Sequence, residues 1–270
     1  MDEIDIYLKE DLGVEGDITS NALFTNEIAE GKIIAKEDCI VAGIKDIERV
    51  FQKIGVKTVF HVKDGDFVKK QTKIADVKGS AKDVLKGERL ALNIIGRMSG
   101  IATETRKLVD KCRKINPKIK IAATRKTTPG FRRFEKEAVV IGGGESHRCG
   151  LYDVVMIKDN HLKIVGFLEE AIKKAKTNTF GKTIEVEVEN KKDAITAAKM
   201  GVDVIMLDNF KPADAKETSR EIRRMNKDIL IEISGGITPE NVVDYAPFAD
   251  RISLGYLTHS VKNIDFSLET

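Results

Sequence analysis

Residues 183–190 read TIEVEVEN. Successive side chains of a strand point to opposite faces, so Ile184, Val186 and Val188 share one face and Glu185, Glu187 and Glu189 the other. Parallel strands covered on both faces normally read as continuous apolar runs. Here the apolar face suits an outer layer of helices, which aims the three glutamates into a barrel. Burying that much charge is costly unless cations or a metal ion answer it. A strand with one face in water would alternate in the same way without any function, so the neighbouring segments have to decide.

Five further strand-like runs share the region: KIKIAAT (118–124), DVVMIKD (153–159), DVIMLDN (203–209), DILIEISGG (228–236) and DRISLGY (250–256). Helix-like runs such as FLEEAIKKAKT (167–177), KKDAITAAKMG (191–201), ADAKETSREIRRMN (213–226) and TPENVVDYAP (238–247) lie between most of them. Alternation of this kind implies a parallel sheet, and both a doubly wound sheet and a barrel fit it. In (β/α) barrels the functional groups gather at the C-terminal strand ends. Those ends carry, in order, Thr124-Arg125-Lys126, Lys158-Asp159-Asn160-His161, the glutamates of 185–189, Asp208-Asn209, Ser234-Gly235-Gly236 and Gly255. Cations come first, carboxylates next and glycines last, which favours one mouth and hence a barrel. Six strands suit an incomplete barrel better than a closed one of eight.

The first hundred residues have another rhythm. Short runs such as GKIIAKEDCIVAG (31–43) and KTVFHVKDGDFVKKQTKIADVKGS (57–80) alternate with tight turns, Asp64-Gly65 among them, around a helix-like DIERVFQKIG (46–55). This describes a small α+β domain. The second run faintly resembles a biotin- or lipoate-carrying hammerhead, but no suitable lysine turn follows. From about 83 to 115 the pattern is helical, with Leu90, Ile94, Ile95, Met98, Ile101 and Leu108 at near-helical spacing. Gly96 and Gly100 within it call for a kink or close packing.

Composition excludes several classes. The 270 residues hold 46 Lys and Arg against 43 Asp and Glu, a net charge of +3. That balance does not suit a surface gripping a nucleic-acid backbone, and with no Trp and 4 Tyr there is no stacking platform. No apolar run reaches the roughly 18 residues needed to span a bilayer, and the acidic start MDEIDIYLKEDLG carries no signal core, so the expected location is cytoplasmic. Cys39, Cys112 and Cys149 are widely spaced and read as reduced thiols.

Any anion site must therefore be local. TRKTTPGFRRFEKEAVVIGGGESHRCG (124–150) holds six Arg or Lys. Gly142-Gly143-Gly144 is no P-loop, because no Gly-Lys-Ser/Thr follows, and it reads as a turn that brings His147 and Arg148 to the mouth. Arg132, Arg133 and Lys136, interleaved with Glu135 and Glu137, read as a solvated or ion-paired helix. Ser234-Gly235-Gly236 precedes Thr238-Pro239, which looks like a helix start; alone it reads as an ordinary strand-to-helix turn, and Gly255 at the next strand end is what adds the reading of a paired phosphate cradle.

Together, the stretch from 124 through KDNHL at 162, EDLGVEGDITS near the N-terminus, GERLALNIIGRMSGIATET, EVEVEN, IMLDNF, ISGGI and LGYLTHSVKNIDFSLE resemble, in order and along nearly the whole chain, the quinolinate phosphoribosyltransferase family, the carboxylating nicotinate-nucleotide pyrophosphorylases. Nicotinate phosphoribosyltransferases and molybdenum-transport-associated homologues share parts of these motifs. The resemblance implies an N-terminal α/β sandwich domain over 1–105, to which a tail at about 258–270 returns, and a C-terminal incomplete (β/α) barrel over 106–257. It implies transfer of phosphoribose from 5-phosphoribosyl-1-pyrophosphate to quinolinate with Mg²⁺, giving nicotinate mononucleotide, pyrophosphate and CO₂ in NAD biosynthesis. Arg125, His147, Arg148 and Lys158 would line the dicarboxylate pocket. Arg89 would come from a neighbouring subunit, making a homodimer with shared sites, with a hexamer of dimers left open. Lys126, beside Lys158, would meet the pyrophosphate, and Ser234, Gly235, Gly236 and Gly255 the 5-phosphate. Glu187 and Asp208 would serve the ribose and the metal, so the catalytic set is Lys126, Lys158, Glu187 and Asp208.

Overall fold

In the computed structural model, which describes residues 2–270, the longest element is one uninterrupted helix, Ala81–Arg113. Its two inner glycines serve close packing. A Cβ at Gly96 would stand 2.8 Å from the Ile264 carbonyl oxygen, and one at Gly100 would stand 2.3 Å from that of Lys262. The Ile264 amide donates to the Gly96 carbonyl at 3.0 Å, so the C-terminal segment is seated on the bare glycine face. A side chain at either position would force it off.

The chain divides into two units. The first holds the residues up to Arg106 together with Thr128–Gly143 and Ser260–Thr270, and the second holds Lys107–Thr127 and Gly144–His259. In the first, strands β1 (Ile28–Ala35), β3 (Lys57–Phe60) and β5 (Lys73–Ser80) and the C-terminal strand Phe266–Glu269 form an antiparallel sheet, ordered Phe266–Glu269, β1, β5, β3. Strands β2 (Cys39–Ile40) and β4 (Phe67–Val68) pair separately. Ile33, Phe51, Ile74 and Ile95 are buried in this unit's core.

The helix Arg132–Ile141, expected within the barrel's span of sequence, belongs to this first unit. Ion pairing and burial hold it there. Arg133 reaches Glu3 at 2.8 Å, Asp46 at 2.8 Å and Glu137 at 3.1 Å. Glu135, fully buried, accepts from Arg97 and Thr128, and Lys136 is buried rather than solvated.

The second unit contains all six expected strands: β6 (Lys120–Ala122), β7 (Val155–Ile157), β8 (Ile184–Val188), β9 (Val204–Asp208), β10 (Leu230–Ser234) and β11 (Arg251–Ser253). They form one parallel sheet in the order β6-β11-β10-β9-β8-β7. First and last strands are neighbours, as in a barrel, but β6 and β7 are edges and the sheet stays open between them. This is a mixed α/β fold with an incomplete barrel. The register sets the strand ends level, with Ser234 beside Asp208 and Leu207 beside Val188. At the open seam Glu145 bridges to Ala122 of β6: its amide donates to Ile121 at 2.8 Å and its carbonyl accepts from Ala123 at 3.0 Å. The segment after the glycine turn is thereby tied to the mouth.

Candidate active site

The C-terminal strand ends of the second unit surround a cavity of about 540 Å³, a size suited to small-molecule ligands. Arg125 and Lys126 reach it from the end of β6, His147 and Arg148 from the seam, and Lys158 from β7. Glu187 and Asp208 form the facing wall, and Ser234, Gly235 and Gly236 complete the rim after β10. Gly255 is outside the lining, yet a Cβ there would stand 3.0 Å from the Lys126 side chain. Arg89 is also outside it. It lies on the first unit's long helix, with its side chain 63% exposed, and borders a separate cavity with Tyr7 and Asn93.

The cations and carboxylates oppose one another. Lys158 donates to the Glu187 carboxylate across a short contact. Asp208 accepts from Asn209 Nδ2 at 2.6 Å. Burial, and then the nearby Glu187 charge, raise the Asp208 carboxyl above its ordinary range. The Nε atoms of Arg125 and Arg148 are buried without a protein partner. Burial, then the Arg125 charge, press Arg148 below its ordinary value, although a guanidinium keeps its proton. Buried donors without acceptors, set in a cation-rich pocket, call for an anionic ligand.

The backbone is strained where it meets this cavity. Three non-glycine residues among those described have positive φ, and two of them, His147 at 52° and Asn209 at 56°, line it. Gly235 and Gly236 follow at 77° and 61°. Such conformations cost energy and persist where the surroundings impose them.

Two sequence expectations change in detail. The rim does not lead into a helix at Thr238-Pro239. Thr238 and Asn241 bond each other in a turn, and a four-residue helix begins only at Val242. Of the three glutamates aimed inward, Glu185 is buried and Glu187 lines the cavity, whereas Glu189 lies past the end of β8, is exposed and borders a different hollow with Lys191.

Glu232 was not among the expected site residues. It is fully buried, lines the cavity and meets His147 Nε2 at 3.1 Å, while Glu185 lies 3.5 Å from the same nitrogen. The strand LIEIS is apolar around one acidic residue, and that isolated charge was the available signal. Burial opposes a charged His147, but hydrogen bonds to Glu185 and Glu232 outweigh it and hold the imidazolium up to about 9. Ligand atoms of the three residues lie within 4.8 Å of one another. Arg251 already occupies Glu232 at 3.0 Å, so ion pairing accounts for the trio.

This combination defines a class: an α/β barrel enzyme whose one mouth holds polyanionic substrates between cations, two carboxylates and a glycine rim. Family models narrow it further. That of the quinolinate phosphoribosyl transferase N-terminal domain matches residues 17–99 and that of the C-terminal domain residues 101–269. The chain belongs to the quinolinate phosphoribosyltransferase family. It is 46% identical over 256 residues to the probable nicotinate-nucleotide pyrophosphorylase (carboxylating) of Archaeoglobus fulgidus, covering 94% of this chain and 97% of that protein. It is 44% identical to the probable enzyme of the same name from Bacillus subtilis, covering 97% and 90%. The crystal structure of nicotinate-nucleotide pyrophosphorylase from Ehrlichia chaffeensis superposes with a TM-score of 0.92 at 38% identity, over 98% of this chain and 96% of that one.

Proposed function

We propose that this chain transfers phosphoribose from 5-phosphoribosyl-1-pyrophosphate to quinolinate and releases pyrophosphate and CO₂, forming nicotinate mononucleotide. The observation that carries this reading is the union of unpartnered buried guanidinium nitrogens and opposed carboxylates in one cavity, in a chain of this family. Quinolinate presents two adjacent carboxylates, which planar Arg donors match. Arg125, Arg148, His147 and Lys158 are the acceptor's partners. Ser234, Gly235, Gly236 and Gly255 offer backbone to the 5-phosphate, and Lys126 offers charge to the pyrophosphate.

The pyridine nitrogen forms a bond to the anomeric carbon as the pyrophosphate oxygen leaves with its electron pair. Positive charge builds on the ribose, and Glu187 and Asp208 stabilise it as it develops. The C2–carboxylate bond then breaks, CO₂ departs, and the electron pair left at C2 takes a proton. The quaternised ring nitrogen and the surrounding cations stabilise that carbanion-like charge.

Mg²⁺ fits the oxygen donors here. Asp208, whose carboxyl is raised by burial and by its negative neighbour Glu187, stands where a hard divalent cation would be favoured, and few protein ligands are needed. Bound Mg²⁺ would offset pyrophosphate charge.

Arg89 acts, on this reading, in the site of a neighbouring subunit, so the working unit is a homodimer, with a hexamer of dimers as a further assembly. Its exposure supports a role outside its own fold. No helix of the described residues is long and apolar enough to cross a membrane. Three free cysteines, two of them buried, support a reducing cytoplasmic setting. The test mixes purified protein, quinolinate, phosphoribosyl pyrophosphate and Mg²⁺. Pyrophosphate should be released with quinolinate as acceptor and not with nicotinate; release with nicotinate alone would replace this reading with a different acceptor.

A further inference from the structure

Beneath the cavity runs a chain of alternating charges. Lys120 reaches Glu145 at 2.6 Å, Glu145 reaches Arg251 Nε at 3.1 Å, and Arg251 reaches Glu232 Oε2 at 3.0 Å. The same Glu232 oxygen meets His147 Nε2 at 3.1 Å, and Glu185 closes the series. Lys120, at the outer end, is half exposed, whereas Glu232 at the inner end is completely buried. Ile231 and Ile233, beside Glu232 in β10, are equally buried but point to the other face of the strand, so Glu232 stands on the inward face, where it lines the cavity and pairs with His147 and Arg251. A buried carboxylate is costly unless well paired, and it is weak evidence for stability. Something other than packing is served.

Its partner shows what that is. His147 has a left-handed backbone, lines the cavity and has both carboxylates at one ring nitrogen, Nε2. Nδ1 is then the nitrogen left for a ligand. Around the ring stand Glu185 from β8, Glu232 from β10, Arg251 from β11, Arg125 from the end of β6, and Arg148 next in sequence. Burial disfavours a proton on His147, and the two carboxylates retain it. We propose that Glu232, anchored by Arg251, is a positioning residue that clamps the His147 ring through Nε2 and so presents a charged Nδ1–H donor to a carboxylate of the acceptor. This rests on the reading that quinolinate occupies the cavity.

The consequence is specific to one substrate. In Glu232→Gln the ring keeps a neutral neighbour there but loses the nearer of its two counter-charges, Glu185 remaining at 3.5 Å. The KM for quinolinate should rise about tenfold, as expected for weakening one charge-assisted hydrogen bond. The KM for phosphoribosyl pyrophosphate should stay within about twofold. Arg251→Met, which leaves Glu232 in place with its anchor removed, should move the same constant in the same direction by less. A merely structural role would raise both KM values together or lower only the yield of folded protein.

A second readout needs no turnover. The protein has four histidines, so ring NMR signals can be followed individually, with that of His147 assigned by its loss in His147→Gln. The His147 signal should titrate near pH 9 in the unsubstituted protein and move toward the ordinary 6.5 in Glu232→Gln. An unmoved titration, or an unchanged quinolinate KM in folded Glu232→Gln, overturns the proposal. Absence of quinolinate turnover in the unsubstituted protein overturns instead the reading of the site, and the titration still decides the clamp.

Discussion

A Cβ on Gly235 would stand 2.4 Å from Asn209 Oδ1 and 2.7 Å from the Asn209 amide nitrogen. The rim after β10 and the end of β9 are thus in contact through the absence of a side chain. The contact bears on chemistry, because Asn209 holds Asp208 through its Nδ2 at 2.6 Å and its amide donates to the Ser234 carbonyl at 3.0 Å.

Gly235→Ala should therefore damage the carboxylate wall and the phosphate rim together. The substitution meets the Asn209 side chain and, at 2.7 Å, its backbone nitrogen, at a φ of 77°. Strain at positive φ and the clash should together destabilise the fold by about 2–3 kcal/mol, read as a lower midpoint in urea. Turnover should fall by at least about 100-fold, a misplacement effect. Near-normal kinetics would show that the rim is not where the 5-phosphate binds.

Arg125→Ala should lose most turnover while the fold survives. Its Nε is buried without a protein partner, so the side chain serves a ligand more than the protein. Circular dichroism should match the unsubstituted protein, and kcat/KM for quinolinate should fall by about 10²–10³, the range for one strong charge-assisted contact. Unchanged kinetics would remove Arg125 from the site.

His147 supplies a pH dependence. Its folded value, up to about 9, lies above the ordinary 6.5. The stabilisation from its charged form is therefore complete below about 6.5 and is lost as pH rises through about 9. A shift of that size corresponds to roughly 3 kcal/mol. Urea midpoints measured from pH 6 to 10 should fall from about 6.5 onward and level off above about 9, and a flat profile would show that folding does not raise the His147 value.

Much of this was legible in the sequence. The six parallel strands announce themselves because each is a short apolar run ending in charge or glycine, and the local pattern names the strand ends that the register later sets level. Glu232 was hidden because one acid among Leu230, Ile231 and Ile233 has no periodicity. Its meaning depends on Arg251 and His147, which are adjacent only across strands. The placing of Arg132–Ile141 in the first unit was equally invisible. Its anchors, Glu3, Asp46 and Arg97, are distant in sequence. Helical periodicity allowed a kink or close packing at Gly96 and Gly100, and only the carbonyls of Ile264 and Lys262 decide between them.

Gly100→Ala follows from that last contact. With a backbone carbonyl 2.3 Å from the added carbon, the gain in helix propensity cannot compensate. The protein should lose about 1–3 kcal/mol, seen as a lower thermal midpoint. A stabilised protein would mean that the C-terminal segment is not seated there.

The homodimer is tested by mixing two inactive proteins, Arg89→Ala and Lys158→Ala. If Arg89 serves a neighbour's site, exchanged hybrids contain one intact site and activity returns to a fraction of normal. No recovery, with subunit exchange verified by mass, would argue for sites complete within one chain.

The most direct measurement follows quinolinate labelled in its 2-carboxylate with the purified protein, phosphoribosyl pyrophosphate and Mg²⁺. The account predicts labelled CO₂, pyrophosphate and unlabelled nicotinate mononucleotide in equal amounts. Pyrophosphate release with the label retained in the nucleotide, or no release at all, would contradict it.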